Sequence, residues 1–207
     1  MTVHEMTQTL DLSFKHRGKK PSDCMVFKND AALYLYDDKI ENTIFVEKNE
    51  ISTEIFEKVF VIRNDMCEKI ALWRIDGCFI KDKGQEKCDA IIFNDIKFCF
   101  IEFKQNSVSE KNESIIENRQ KGTQQLLKTI QFLYNNTRIW AVISTNYTIE
   151  AFLSTPPHYE AHQFSAAELL RYKDFIMRKS SYPIYTDTQK AIEAFGVRFY
   201  EKNETDF

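Results

Sequence analysis

The chain has 207 residues, a net charge of −3 and hydrophobic residues at 43% of its positions, which is enough to build a folded domain with its own core. Seventeen Phe against five Gly and four Pro exclude a low-complexity or disordered chain. Because the net charge is slightly negative, an overall positive charge cannot be what attracts nucleic acid to this protein. A local groove or a bound cation can still supply positive potential.

The five cysteines, Cys24, Cys67, Cys78, Cys88 and Cys99, form an odd set without a CxxC pair. Their spacings do not fit a zinc finger or ribbon, so we expect buried, reduced thiols and a reducing, cytoplasmic setting. The N-terminal segment is polar and unlike a signal peptide. No apolar run approaches the ~20 residues that a membrane span needs, so we expect no membrane partner.

The first part of the chain predicts a β-hairpin and, less directly, a helix. Residues 31–36 and 43–47 are apolar runs around a polar turn, which favours two paired strands. Segment 65–73 begins with an acid pair at the spacing of a capping box, and its apolar residues share one helix face. The basic stretch 15–21 indicates a solvated loop, with phosphate contact as the alternative.

Three further strands are expected at 77–80, 88–93 and 97–104, with a turn at Asn94-Asp95 between the last two. The strands at 88–93 and 97–104 are almost continuously apolar. Such strands lie in the centre of a sheet that is covered on both faces.

The second half of the chain predicts a helix at 107–134 and a strand at 138–145, a crossover that implies parallel pairing within the sheet. The apolar stripe of the helix repeats every three to four residues: Ile115, Gly122, Leu126, Ile130 and Leu133. Gly122 on this stripe would let the helix approach the sheet closely. Helices are also expected at 165–179 and 187–195, so we predict one α/β domain over 1–207 with a helical C-terminal part.

Two carboxylates and an ammonium interrupt the apolar strands. Glu102 and Lys104 project from the same face of their strand, while Phe103 points to the other. On a hairpin that turns near 94–95, Asp89 lies beside Glu102. Because desolvating an unpaired ion costs several kcal/mol, such residues in a buried sheet indicate a bound divalent cation such as Mg²⁺. The peptide carbonyl of Phe103 is a further candidate ligand, and Lys104 is suited to position or deprotonate an attacking water.

Asp89, twelve intervening residues and then Glu102-Phe103-Lys104 resemble the signature of the PD-(D/E)XK nuclease superfamily, which includes restriction endonucleases, recombination nucleases and many phage-defence effectors. The resemblance covers a core at about 65–145, with the strands at 31–47 and the helices at 165–195 as additions. It implies a restriction endonuclease-like fold, a central mixed β-sheet flanked by helices. The proline that names the motif is absent, and Cys88 stands in its place.

The resemblance also implies roles for single residues. Asp89 and Glu102 would bind Mg²⁺, or Mn²⁺ as a substitute, and Lys104 would be the catalytic lysine. Members of the family often carry another acid on the preceding helix, for which Glu68 is the first candidate and Glu57 the second. Some also place a glutamine on the following helix, which here would be Gln124 or Gln125.

These features lead to a main hypothesis and two alternatives. The main one is a Mg²⁺-dependent nuclease that hydrolyses phosphodiester bonds of DNA, as a restriction or phage-defence effector, with a partner protein for target recognition or a homodimer for cutting both strands. The first alternative is a catalytically silent nuclease-fold module that binds nucleic acid or a partner protein. The second is an unrelated α/β protein in which the same residues form a structural ion pair.

Overall fold

The computed structural model describes residues 1–15, 18–38, 40, 42–52, 55, 58–80, 86–104, 112–155 and 186–207. The helices are α1 (Val3–Ser13), α2 (Asn112–Tyr134), α3 (Thr137–Asn146) and α4 (Thr186–Glu193). The strands are β1 (Met25–Lys28), β2 (Ala32–Asp38), β3 (Asn42–Val46), β4 (Phe60–Arg63), β5 (Ile70–Arg74), β6 (Ala90–Phe93), β7 (Lys97–Phe103), β8 (Thr148–Ser154), β9 (Arg198–Tyr200) and β10 (Glu204–Asp206). Among the described helices, none has the length and apolar character of a membrane span.

The strands form a six-stranded sheet in the order β1-β5-β6-β7-β8-β9 and a four-stranded sheet in the order β10-β4-β2-β3. In the larger sheet, β1, β5, β6 and β7 are antiparallel neighbours, and β8 and β9 are added in parallel. The central position of β6 and β7 confirms what their continuous apolar sequence predicts. The expected hairpin near 31–47 is also confirmed, as the antiparallel pair β2–β3.

Each face of the six-stranded sheet is buried in a different core. Alternate residues such as Phe93 and Phe98 pack with α1, α2, α3 and α4. The residues between them, such as Ile92 and Cys99, pack against the four-stranded sheet. The mixed sheet is therefore flanked by helices on one face, as expected, and by a second sheet on the other. This two-sided burial explains why β6 and β7 lack the usual polar alternation.

The helix expected at 65–73 is wrong, because the chain forms strand β5 from Ile70 onward. A tight turn precedes the strand: the Asn64 side chain accepts from the Glu68 N–H at 3.0 Å, and Cys67 adopts a positive φ of 51°. This conformation stops a helix. Ile70 and Trp73, which would share a helix face, instead pair with residues of β1, and Trp73 also pairs with β6.

The strand expected at 77–80 is also wrong. Residues 75–80 form a turn, closed by a hydrogen bond from the Ile80 N–H to the Ile75 carbonyl at 2.9 Å. Gly77 in this turn has a φ of +67°, a left-handed conformation that is accessible to glycine. We refer to this segment as the 75–80 turn.

The strand expected at 138–145 is helix α3, and the strand that pairs in parallel with β7 is β8, a few residues later. The Asn136 side chain accepts from the Ile139 N–H at 3.4 Å and caps α3. Ile139, Trp140 and Ile143 are buried at helical spacing. The predicted parallel pairing through a helical crossover is thus confirmed, with a different partner strand.

The remaining helix predictions have different outcomes. The helix expected at 107–134 is confirmed as α2, which is described from Asn112. The short helix expected at 187–195 is confirmed as α4. The helix expected at 165–179 lies outside the described residues.

The expectation that all five thiols are reduced is wrong for two of them. Cys24 and Cys78 form a disulfide, while Cys67, Cys88 and Cys99 are free. The bond joins the residue before β1 to the 75–80 turn, and both sulfurs lie in the core that the helices cover. A pairing over 54 positions has no local sequence signal.

Removing this disulfide should lower the free energy of unfolding. The 54-residue separation gives a chain-entropy contribution of about 4 kcal/mol as an upper estimate. We expect the double variant Cys24→Ala/Cys78→Ala, measured by urea unfolding, to lose roughly 2–4 kcal/mol. Cys67→Ala removes an exposed free thiol and should match the wild type. A double variant as stable as that control would contradict a stabilising role.

Candidate active site

The β6–β7 hairpin brings Asp89 and Glu102 side by side. The register pairs Ala90 with Ile101, so the next positions outward are Asp89 and Glu102. The Asp89 Oδ2 accepts a hydrogen bond of 2.7 Å from the Phe103 N–H. This bond fixes the Asp89 carboxylate against β7, next to the Phe103 peptide.

Lys104 and Glu102 lie on the face of β7 that α2 covers. The Lys104 Nζ contacts Glu102 Oε1 and lies 2.9 Å from Gln125 Oε1 on α2. The Gln125 amide in turn donates to the Lys87 carbonyl at 2.9 Å. Gln125 therefore links the lysine to the segment that leads into Asp89.

Gly122 lets α2 approach the sheet at this point, as its place on the apolar stripe predicts. A Cβ atom added at Gly122 would lie 2.5 Å from Leu153 Cδ1 and 3.0 Å from Lys104 Cγ. The first distance is shorter than real Cβ contacts allow, and the second is tighter than most of them. The alkyl chain of Lys104 thus passes through space that exists because residue 122 has no side chain.

The Glu102 carboxylate is completely buried, with 0% of the residue exposed. Its Oε2 atom has no hydrogen-bond partner among the described residues, although Lys104 contacts Oε1. Burial, reinforced by the negative charge of Asp89, raises the pKa of Glu102 well above its usual value, and Lys104 opposes that rise. A buried carboxylate oxygen without a partner is costly, and a cation is one way of satisfying it.

Asp89 is only partly buried, but its carboxylate faces other acids. Burial and the negative charge of Asp37 raise the pKa of Asp89 to about 7, against the stabilising hydrogen bond from Phe103. Asp89 and Glu102 together therefore resist carrying two negative charges in this setting.

Two further acids near this pair, Asp37 and Asp76, were not predicted from the sequence. Asp37, near the end of β2, has a pKa raised to about 6 by burial, with Lys104 opposing and Asp76 and Asp38 reinforcing the rise. The N–H of Asp76 donates to the Asp89 carbonyl at 3.1 Å. The adjacent acids Asp37 and Asp38 are visible in the sequence at the end of a predicted strand. Their proximity to Asp89 depends on how the two sheets pack.

Glu68, the first candidate for an additional acid on a preceding helix, is not at the site. Glu68 lies in a loop, and its Oε2 accepts from Asn94 Nδ2 at 2.6 Å. Asn94 opens the hairpin turn, at the opposite end of β6 from Asp89; its side chain accepts from the N–H groups of Ile96 and Lys97, so the turn lies one residue later than expected.

The structure places one of the two candidate glutamines at the site and the other away from it. Gln125 contacts Lys104, whereas Gln124 points about 100° away around the helix. Glu57, the second choice for an additional acid, lies outside the described residues.

The donor set can be tested against a divalent cation. Within the part of the chain that the structure describes, no group of three or more His, Cys, Asp or Glu is placed to hold a metal by itself. Mg²⁺ is commonly held by one or two carboxylates, with waters and a substrate phosphate completing the shell. Asp89 and Glu102, with an unpartnered Glu102 Oε2, fit this mode, and they do not fit zinc.

Comparison with known proteins gives no relative: no protein-family model, no curated protein and no solved structure matches this chain.

The raised pKa values of Asp89 and Glu102 predict how stability depends on pH without divalent cations. The folded chain holds protons that the unfolded chain has already released, so the free energy of unfolding should fall as pH rises from about 5 to about 8. The fall is up to about 1.4 kcal/mol per pH unit for each proton involved. Thermal and urea unfolding in EDTA measure it.

Glu102→Gln is the matched variant, because it keeps the side-chain shape and removes the charge. We expect a flatter pH profile than that of the wild type and equal or greater stability at about pH 8. Parallel profiles for the two proteins would show that the Glu102 carboxylate does not retain its proton in the fold.

Gly122→Ala should destabilise the protein, although alanine normally improves a helix interior by up to about 1 kcal/mol. The new methyl would meet the buried Leu153 and the Lys104 side chain, and such overpacking costs roughly 1–3 kcal/mol. Urea unfolding checks this, with Lys121→Ala, an exposed neighbour, as the control. A gain in stability for Gly122→Ala would contradict the close approach.

Proposed function

We propose that this protein is a Mg²⁺-dependent nuclease of the PD-(D/E)XK type that hydrolyses phosphodiester bonds of DNA. The observation that carries the proposal is the Glu102 carboxylate, fully buried beside Asp89 and Lys104, with its Oε2 unpartnered among the described residues. A protein stabilised only by packing gains no free energy from a buried carboxylate oxygen without a partner. In a cation-binding site, the same oxygen serves as a ligand.

The arrangement of elements also supports the proposal. The acids lie on the central hairpin β6–β7, helices α2 and α3 follow, and β8 then pairs with β7 in parallel. A mixed β-sheet flanked by helices is what the resemblance implies for a restriction endonuclease-like core. Lys104 follows Glu102 by two positions and contacts it on the same face of β7, which supports a common role for the two side chains.

Each residue of the site has a distinct task in this proposal. Asp89 and Glu102 would hold the cation, and the Phe103 carbonyl is a further candidate oxygen ligand. When bound, Mg²⁺ would polarise the phosphodiester and lower the pKa of a bound water. Lys104 keeps a proton at Nζ beside the reacting phosphate and stabilises the charge that builds there. Gln125 orients that ammonium through its contact with Nζ.

The substrate and the role in this proposal follow from the resemblance. DNA is the proposed substrate, and restriction or phage defence is the proposed role. Because the net charge is −3, a partner protein or a second copy of the chain would supply target recognition. Mn²⁺ is expected to replace Mg²⁺.

A second candidate is a silent module of the same fold, which binds nucleic acid or a partner protein. The direct contact between Lys104 and Glu102 Oε1 favours it, because a buried ion pair can persist as a structural feature. This candidate predicts that binding and stability are indifferent to Mg²⁺ and EDTA.

Incubation of the purified protein with supercoiled plasmid tests the proposal. We expect cleavage with Mg²⁺ and none with EDTA. Lys104→Ala should lower the cleavage rate roughly 100-fold or more, since it removes the ammonium that stabilises charge at the phosphate. Lys121→Ala, an exposed lysine on α2, should cleave at the wild-type rate.

Two results would count against the proposal. An intact plasmid under all Mg²⁺ and Mn²⁺ conditions, together with intact linear and single-stranded DNA, would favour the silent module. Full activity in Lys104→Ala would remove the lysine from the mechanism even if cleavage itself is real.

A further inference from the structure

Asp89 lies just outside the regular strand ladder. Strand β6 begins at Ala90, and its pairing with β7 ends where Ala90 meets Ile101. The Asp89 carboxylate accepts from the Phe103 N–H at 2.7 Å, and two N–H groups of the 75–80 turn donate to its carbonyl at 3.0 and 3.1 Å. Buried main-chain groups need hydrogen-bond partners, so the segment that leads into Asp89 must find them in other elements.

Helix α2 supplies these partners. The Cys88 N–H donates to Thr129 Oγ1 at 2.7 Å, and the side-chain amide of Gln125 donates to the Lys87 carbonyl at 2.9 Å. Cys88 is 0% exposed and Thr129 2%. Gln125 and Thr129 are four positions apart and therefore share one face of the helix. Each of the two residues before Asp89 is thus bonded to α2.

The Thr129 hydroxyl uses both of its hydrogen-bonding functions. It donates to the Gln125 carbonyl at 3.1 Å, which leaves the oxygen free to accept from Cys88. Thr123 on the same helix is a natural comparison. It is also 2% exposed, and its hydroxyl donates to the Arg119 carbonyl at 2.8 Å, but the Cys88 N–H goes to Thr129.

The same face of α2 also holds the other half of the site. Gln125 Oε1 lies 2.9 Å from Lys104 Nζ, and Lys104 contacts Glu102 Oε1. One turn of the helix therefore sets the main chain before Asp89 relative to the Glu102 carboxylate. Mg²⁺ requires near-ideal octahedral geometry, so two carboxylates that share it must keep a fixed separation.

We infer that Thr129 is a positioning residue for Asp89 in the cation site and acts through the Cys88 peptide. This inference rests on the cation site of the proposed function. Thr129 lies 41 positions from Cys88 in the sequence, outside the stretch that carries the nuclease-like motif. Its hydroxyl fixes where the Asp89 carboxylate lies and does not itself contact the cation.

Calorimetric titration with Mg²⁺ alone tests the inference in the full-length protein. Thr129→Val keeps the side-chain shape and removes the acceptor, so Mg²⁺ affinity should fall roughly 10-fold, the lower end of the range for groups that orient a metal ligand. Thr123→Val is the matched control, because it makes the same change on the same helix at the same burial. It should stay within about twofold of the wild type, as should Thr129→Ser, which keeps the hydroxyl.

A loss of stability alone would not give this pattern. Thr129→Val leaves the buried Cys88 N–H without its acceptor, so it should unfold at a lower urea concentration than Thr123→Val. The titrations are run where circular dichroism shows every variant to be folded, so that a difference in affinity reports on the site. If Thr129→Val does not fold, Thr129→Ala and Thr129→Ser give the same comparison, since only serine keeps the acceptor.

Cleavage of plasmid gives a second measurement. The rate of Thr129→Val should recover at high Mg²⁺, whereas that of Lys104→Ala should not. Recovery by excess cation is expected of a residue that acts on a cation ligand. A rate that stays low at saturating Mg²⁺ would contradict this role for Thr129.

The possible failures are distinguishable. If Thr129→Val binds Mg²⁺ as Thr123→Val does while Glu102→Gln does not bind, the inference about Thr129 is overturned and the cation site stands. If the wild type binds Mg²⁺ but cuts no nucleic acid, the proposed nuclease function fails, and a 10-fold loss of affinity in Thr129→Val still supports its role. If the wild type does not bind Mg²⁺, both are overturned.

Discussion

The burial of one carboxylate constrains the rest of this structure. Glu102 occupies a position in the central strand where its neighbours on either side are apolar and inaccessible. A charged group there costs several kcal/mol unless other groups compensate. The ammonium of Lys104 compensates one oxygen, and Gln125 and Gly122 make room for that ammonium and hold it.

The location of the cluster follows from the layering of the fold. Helices cover one face of the six-stranded sheet and the smaller sheet covers the other, so polar groups can gather only where the strands of the hairpin end. Asp89 and Lys104 lie at that rim, on either side of Glu102. The 75–80 turn and the end of β2 complete the rim from a second direction.

The sequence was sufficient for what depends on local periodicity. Alternation along one strand predicts that Glu102 and Lys104 share a face, and the apolar stripe of α2 predicts that Gly122 faces the sheet. The helix predicted at 65–73 and the strand predicted at 138–145 are wrong, because short apolar runs fit a helix and a strand equally well. Turn geometry and an asparagine cap decided between the two.

Long-range features had no comparable signal. The interaction of Asp37 with Asp89 depends on how the two sheets pack, which no spacing in the sequence reveals. The Cys24–Cys78 pairing likewise joins elements that are distant in the chain. The resemblance to a nuclease motif located the central pair of acids, but not the elements that surround it.

The placement of β10 has a consequence for how the protein folds. This strand pairs in parallel with β4, and Arg63 contacts Glu204 across 141 positions of sequence. Contacts between residues so far apart in the sequence form slowly, because the entropy of closing the loop is lost before the strand pairing stabilises it. During synthesis the edge of β4 therefore stays open until residues 204–206 leave the ribosome, and it is exposed to pairing with other chains for that time.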